Sequence, residues 1–377
     1  MACKTQGTSQ SKMHIQRTCE DPFVEADEKH ALCFFKLKGF EQINENEVFP
    51  FAFRIESYGE TNVEEFLENN YFSIKLFWSR YRENCRSPIS KRRSKSLKKK
   101  SKRKSQAAQT LFGSFNIQVF GKEKMKKEPV KEILVKILTR YDVFTIQEIR
   151  DASGEAFPEL IAALNEEKDR FDFHVGERQG TTISKEQFGF GWDREKLKLI
   201  DSFDFEDENN LFERPPGVVV LQRTGKDAKA YPTQRFIVVS CHIKPETGVK
   251  DMTTEEEINN LKLVFEMARD RHPEVKDCII AGDMNADLHY VKDPEALQLY
   301  KDPKSKFLID FDADTTAKDT DAAYDHIVLY GETIQANIGC AQVFDFEEAF
   351  KTKDILYEEQ SLTFQISDHY PVEFSFS

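Results

Sequence analysis

The chain has 377 residues, with 54 Lys and Arg against 66 Asp and Glu, a formal net charge of -12. With 39% hydrophobic residues, 32 Phe, 16 Gly and 13 Pro, it holds the apolar material for a large core and is neither collagen-like nor a low-complexity chain. No apolar run approaches the roughly 18–20 uncharged residues of a membrane span. The opening MACKTQGTSQ has no apolar core of a secretion signal, so a soluble, unsecreted chain without a membrane partner is expected.

The charge is divided unevenly along the chain. Ten of the basic residues fall in Lys91–Lys104 (KRRSKSLKKKSKRK), which holds no acid, so the rest of the chain is far more acidic than the total suggests. Acidity of that kind argues by itself against a polyanionic partner. In chain order, residues 1–20 are polar and are expected to be disordered. Residues 21–84 read as a small α+β module of unassigned role. In it ALCFFKLKGF reads as a strand, and Phe49, Phe51, Phe53 and Ile55 alternate as on another. Thr61–Glu64 has capping-box spacing ahead of a short helix, and Phe72, Ile74, Leu76 and Trp78 alternate again. Residues 85–110 form a Ser, Lys and Arg-rich linker whose like charges keep it extended. The basic run suits a nuclear-import signal read by an import receptor, or a tether to DNA.

Residues 111–377 alternate apolar runs with helical patterns, the signature of an α/β domain. Strands are predicted at Leu111–Phe120, Val143–Gln147, Phe188–Trp192, Gly217–Leu221, Phe236–Cys241, Cys278–Ala281, Ala323–Leu329 and Pro371–Phe376. Helices are predicted at Pro129–Arg140, Phe157–Asn165 and Thr253–Arg269, the last opening on a Thr-Thr-Glu-Glu capping box. Seven scattered cysteines without a CxxC pair make a poor disulfide framework and a poor zinc site, and Cys278 reads as a small core residue. No GxGxxG or GxxxxGK[ST] loop is present, which excludes the common nucleotide-binding motifs.

Polar residues recur at the predicted strand ends. Asn116 lies in SFNIQVF, Glu148 ends VFTIQE and Glu186 precedes QFGFGW. His242 ends FIVVSCH, Asp283 and Asn285 close CIIAGDMN, Asp325 interrupts AAYDHIVLY, and Asp368 and His369 lie in ISDHYPVEF. Carboxylates with an Asn suit a hard, oxygen-seeking cation such as Mg²⁺ or Mn²⁺, and two histidines with carboxylates to spare suit general acid–base work. Taken singly, each residue has an ordinary reading as a turn former, helix cap or structural histidine.

Their order, in SFNIQVFG, FTIQEIRD, KEQFGF, ERPPGVVV, SCHIKPE, AGDMNAD, TTAKDTDAAYDHIV and ISDHYPVEF, resembles the deoxyribonuclease I family, within the endonuclease/exonuclease/phosphatase superfamily, over about residues 112–377. The resemblance implies a four-layer α/β/β/α sandwich behind the small N-terminal module. It implies that Asn116, Glu148, Asp283, Asn285 and Asp368 hold the divalent ion and the scissile phosphate. It makes His242 with Glu186, and His369 with Asp325, the acid–base pairs. Arg150 matches an arginine that reaches into the DNA minor groove, and Arg214 one that contacts phosphate. The activity implied is Mg²⁺-dependent endonucleolytic cleavage of double-stranded DNA to 5′-phosphate ends with little sequence preference, and the basic run together with the lack of a secretion signal gives the expectation of a nuclear location. Abasic DNA, RNA or a phosphoinositide remain as substrates of the same cluster, and an inactive DNA-binding module remains as a non-enzymatic alternative. Departures from the family lie at Leu288 and Ala322, which stand where it has a disulfide, and at Ser184, where some members place a tyrosine. In its calcium loop, Lys318 stands among Asp314, Thr316 and Thr320, so no structural Ca²⁺ is expected.

Overall fold

The computed structural model describes residues 109–180, 185–225, 228–245, 252–319 and 321–377, together with two strands nearer the N-terminus. Those strands, β1 (Met13–Arg17) and β2 (Phe51–Ile55), pair antiparallel with Met13 opposite Ile55. They belong to a unit spanning residues 1–83, separate from a unit spanning 84–377. β2 falls on the alternation of Phe51, Phe53 and Ile55. β1 falls inside the segment expected to be disordered, where Met13 and Ile15 alternate with His14 and Gln16 in a two-residue repeat too short to stand out. The remaining expectations for residues 1–108, including the helix after Thr61 and the extended basic linker, lie outside the described residues.

The larger unit is built on two six-stranded sheets. Its strands are β3 (Thr110–Phe120), β4 (Val143–Ile149), β5 (Phe171–Val175), β6 (Gln187–Asp193), β7 (Leu197–Asp204), β8 (Gly217–Arg223), β9 (Arg235–His242), β10 (Asp277–Asp283), β11 (Ser305–Phe307), β12 (Asp325–Tyr330), β13 (Ile338–Val343), β14 (Leu356–Tyr357), β15 (Gln360–Ser361) and β16 (Val372–Phe376). The first sheet runs β13-β16-β3-β4-β6-β5 and the second β11-β12-β10-β9-β8-β7, while β14 and β15 form a small hairpin apart. Only the central pairs, β3 with β4 and β9 with β10, are parallel; their neighbours are antiparallel.

Strict alternation along apolar strands explains the layers. Phe236 and Val238 of β9, Ile279 and Ala281 of β10, and Phe112 of β3 point into a core between the sheets, with Phe188, Phe190 and Phe374. The intervening Ile237, Val239, Cys241, Cys278 and Ile280 point outward beneath the helix α3 (Thr254–Arg271). Phe115, Ile117, Phe144 and Ile146 likewise point outward beneath α1 (Glu128–Leu138) and α2 (Ala156–Glu167). Strands buried on both faces read as continuous hydrophobic runs, and the result is an α/β/β/α sandwich. The capping box of α3 is realised, with Glu256 N donating to Thr253 Oγ1 at 3.1 Å and Thr253 N donating to Glu256 Oε2 at 2.8 Å.

Within residues 111–377 the three predicted helices and eight predicted strands are present within a few residues. β5, β7, β11 and β13 carry a weaker signal, because each lies at a sheet edge and mixes polar or small residues with apolar ones. Among the described residues no helix is long and apolar enough to cross a membrane. Cys241 and Cys278 are buried free thiols and Cys340 is an exposed one.

Candidate active site

The parallel pairs place their C-terminal ends at one rim of the sandwich. In the second sheet Asp283 stands in register with His242 on one side and Asp325 on the other. β10 can approach β9 this closely because Gly282 has φ 151° and no Cβ, which would otherwise meet the Cys241 carbonyl oxygen. In the first sheet β3 and β4 lose their regular register between Asn116 and Phe120. There Val119 and Glu148 adopt φ 48° and 60°, and Val119 N donates to Glu148 Oε2 at 2.8 Å. Asn285, just past β10, is also left-handed at φ 45°. Left-handed non-glycine residues cost energy and persist where surrounding contacts over-determine them.

Three hydrogen bonds tie the two sheets together at this rim. Glu186, which leads into β6, faces His242 Nδ1 from Oε2 at 2.7 Å. Asp325 of β12 faces His369 Nδ1 from Oδ2 at 2.7 Å. Asn116 Nδ2 donates to Asp283 Oδ2 at 2.9 Å. The same Asp283 oxygen lies 3.5 Å from His242 Nε2 and 3.7 Å from His369 Nε2. Both imidazoles are thus held by a carboxylate at Nδ1 and aim Nε2 at one oxygen.

The electrostatics follow from burial and partners. Burial works against charge on Glu186, but His242, Arg214 and Arg150 outweigh it and hold the carboxyl at about 2. Burial likewise opposes a charged His369 ring, yet Asp325 and Asp283 raise it to about 10. Burial pushes Asp283 above its ordinary value against the pull of His369 and His242. Asp368 is held below its ordinary value despite burial, by His369 and Lys318.

Asn116, Glu148, Glu186, His242, Asp283, Asn285, Asp325, Asp368 and His369 gather at this rim, together with Arg150 and Arg214. Arg150 Nη2 bridges Glu186 at 3.0 Å and Glu148 at 3.1 Å, and Arg214 Nε reaches Glu186 at 3.2 Å. Asn285 donates its backbone N–H to Asp283 Oδ1 at 2.9 Å, while its Nδ2 is spent on the Ile243 carbonyl. Asp368 faces Lys318 Nζ from Oδ2 at 2.8 Å. The Lys318 ammonium is thus engaged by Asp368, while Asp314 Oδ1 accepts from Thr316 N. Ser184 and Thr320 lie outside the described residues.

Two participants went unassigned in the sequence. Ser367 Oγ donates to the Asn116 carbonyl and accepts from Gln118 N and His369 N, fastening β3 to the segment that carries Asp368 and His369. It sits inside ISDHYPVEF, but a serine before two ionisable residues is unremarkable in isolation. Lys124 Nζ donates to the Ile366 carbonyl at 2.6 Å, and burial lowers it to about 8 against the pull of Glu148 and Asp368. Nothing in its charged surroundings, GKEKMKK, distinguishes it.

The donor set suits a hard divalent cation. One ligand atom each from Glu148, Glu186 and His242 lie within 4.8 Å of one another, as do those from Asp283, Asp325 and His369. Asn116 Oδ1 and Asp325 Oδ1 are buried with no hydrogen-bond partner. A buried acceptor left bare costs about 1–3 kcal/mol, which a cation or its bound water relieves.

Residues 113–369 match the Endonuclease/Exonuclease/phosphatase family model. Deoxyribonuclease-1 of Bos taurus is 33% identical over 273 residues, covering 70% of this chain and 90% of the relative. Deoxyribonuclease gamma of Rattus norvegicus is 35% identical over 274 residues, covering 69% and 82%. An endonuclease/exonuclease/phosphatase family structure from Bacteroides thetaiotaomicron aligns with TM-score 0.48 at 14% identity, covering 72% of this chain and 99% of that one. The chain belongs to the endonuclease/exonuclease/phosphatase family, as a deoxyribonuclease I-like hydrolase of phosphodiester bonds.

Proposed function

We propose that residues 111–377 form a Mg²⁺-dependent endonuclease acting on double-stranded DNA, with His242 and His369 as its general base and acid. The observation that carries this reading is the convergence of two carboxylate-held imidazoles on one Asp283 oxygen. Hydrolysis of a phosphodiester needs a proton removed from water and another given to the leaving 3′ oxygen. Glu186 and Asp325, each at an Nδ1, fix the tautomers so that each Nε2 is free for one of those transfers. Asn116, Glu148, Asp283, Asn285 and Asp368 would hold the divalent ion, Mg²⁺ or Mn²⁺, which when bound supplies positive charge against the phosphoryl oxygens. Arg150 Nε and Arg214 Nη1 are buried donors without a partner, suited to phosphate oxygens, with Arg150 entering the minor groove and reading its width rather than base identity.

DNA is preferred as substrate because the curated relatives bear the name deoxyribonuclease. Full-length protein with supercoiled plasmid and Mg²⁺ is expected to yield nicked circles, and His369→Ala to abolish them. Absence of nicking by the wild type, or undiminished nicking by the variant, overturns the assignment. Abasic DNA, RNA and a phosphoinositide assayed beside the plasmid test the substrate. Lys91–Lys104 is proposed to tether the enzyme to DNA and to direct it to the nucleus. Its deletion should then lower affinity and flatten the salt dependence, and an unchanged salt slope and location reject both roles.

A further inference from the structure

Lys318 lies on a turn fastened to the catalytic segment. Ala317 N donates to the Asp368 carbonyl at 2.9 Å, and Tyr370 N donates to the Thr315 carbonyl at 2.7 Å. Thr316 forms a bridge to His369. Within the turn, Thr315 Oγ1 donates to the Ala322 carbonyl and accepts from Tyr324 N and Asp325 N. The residue after Ala317 is therefore delivered to Asp368 by the backbone contacts of the three residues before it. Its ammonium stands 2.8 Å from Asp368 Oδ2, while Asp368 Oδ1 faces His369 Nε2 at 3.9 Å. A lysine ammonium is a compact point charge that donates hydrogen bonds but takes no ligand. It satisfies a carboxylate as a cation does, without the Lewis acidity.

We propose that Lys318 is a resident counter-ion for the Oδ2 oxygen of Asp368 that limits the site to one divalent ion and stands where a second ion would otherwise bind. The inference rests on the metal-dependent reading above but concerns ion number rather than substrate. With the ammonium in place, the Asp368 side of the site already carries positive charge, and a second divalent ion must displace it. Glu148 also meets a cation, Arg150, but shares it with Glu186 and takes the Val119 N–H besides, while Asn116 keeps a bare oxygen. The two sides of the site are therefore unequal.

The test is a titration of the full-length protein with Mn²⁺ alone, followed by calorimetry and by the paramagnetic resonance signal of free Mn²⁺. Wild type is expected to bind one ion. Lys318→Met is expected to bind a second, or to bind its one ion at least roughly tenfold tighter, since a nearby positive charge has been removed. Lys318→Arg, which keeps the charge, should bind one ion as the wild type does. The Lys318 side chain is half exposed, so the Met variant is expected to fold, with circular dichroism as the check. A wild-type stoichiometry other than one, or a Met variant with unchanged or weaker binding, overturns the proposal. Plasmid nicking measured on the same preparations separates the two readings. One-ion binding without nicking would refute the nuclease and leave the counter-ion role, and nicking with two ions bound would do the reverse.

Discussion

Glu186→Gln tests the electrostatics of the site most directly. The carboxylate is 1% exposed and shares its oxygens among His242, Arg150 and Arg214. Its carboxyl is held at about 2 against an ordinary 4.5. A displacement of that size corresponds to about 3 kcal/mol of folding free energy. The pKa is depressed in the folded state, so this contribution is complete above the unfolded value near 4.5 and is lost as pH falls towards 2. A neutral glutamine forfeits it at every pH. Urea unfolding of both proteins across the acid range should give a stability gap of about 3 kcal/mol at neutral pH that closes steadily as the solution is acidified. Catalysis should fall further than stability explains, because the amide no longer fixes the His242 tautomer. A loss of roughly 10²–10⁴ in nicking rate is the scale of a disabled acid–base group. A variant as stable as wild type at neutral pH, or a gap that does not narrow in acid, would refute the reasoning.

Two further substitutions probe the supports of the rim. Gly282→Ala places a methyl group against the Cys241 carbonyl and strains a φ of 151°. Because β9 and β10 must separate there, His242 and Asp283 move apart, and a displacement of about 1 Å is expected to cost roughly 10²-fold in nicking rate; wild-type activity would exclude a close-approach role for this glycine. Glu257, buried on α3, accepts Glu213 N and Lys244 N and so fixes the loops that carry Arg214 and follow His242. Burial raises its carboxyl to about 7, so its ionisation opposes folding progressively between its ordinary value and neutrality. Stability should therefore decline with rising pH in that window, and Glu257→Gln should flatten the decline in urea unfolding; an unaltered profile would exclude this carboxyl as its source.

The apolar alternation that builds the layers was legible because strands buried on both faces leave uninterrupted hydrophobic runs such as FIVVSC and CIIAG. Polar residues closing those runs marked His242, Asp283 and Asn285, which singly read as turn formers or structural residues and gained meaning only from their recurrence at successive strand ends. Edge strands such as β5 and β13 face solvent on one side, and their mixed composition hid them. Cross-sheet partnerships were hidden as well. Glu186 and His242 are 56 positions apart, and Asn116 and Asp283 are 167 apart, so only the known family order brought them together before the structure did. The left-handed turns at Val119 and Glu148 have no sequence signal at all, because neither residue type favours that conformation.

Each of the three hydrogen bonds at the rim crosses between the sheets, so the site exists only while the sheets are packed. Glu186, Asn116 and His369 belong to segments joined to the first sheet, and His242, Asp283 and Asp325 to strands of the second. Just beneath them the apolar layer gives way to a buried polar bridge. Thr145 Oγ1 donates to Ser240 Oγ at 2.6 Å, and Gln147 Nε2 reaches the same oxygen at 3.0 Å. Ser240 lies two residues before His242, and Gln147 directly precedes Glu148, so this bridge sets the separation of the two halves of the rim. Ser240→Ala would remove one acceptor from each of two buried donors but leave the Gly189 carbonyl to Thr145 Oγ1 and the Ser114 hydroxyl to Gln147 Nε2, at a cost of about 1 kcal/mol. If the bridge sets the gap, the nicking rate should fall under conditions where the variant is fully folded, while unfolding remains a single transition. A variant that loses stability but keeps its full rate would mean that the apolar layer alone, through Phe112, Val238 and Ile279, holds the two sheets in catalytic register.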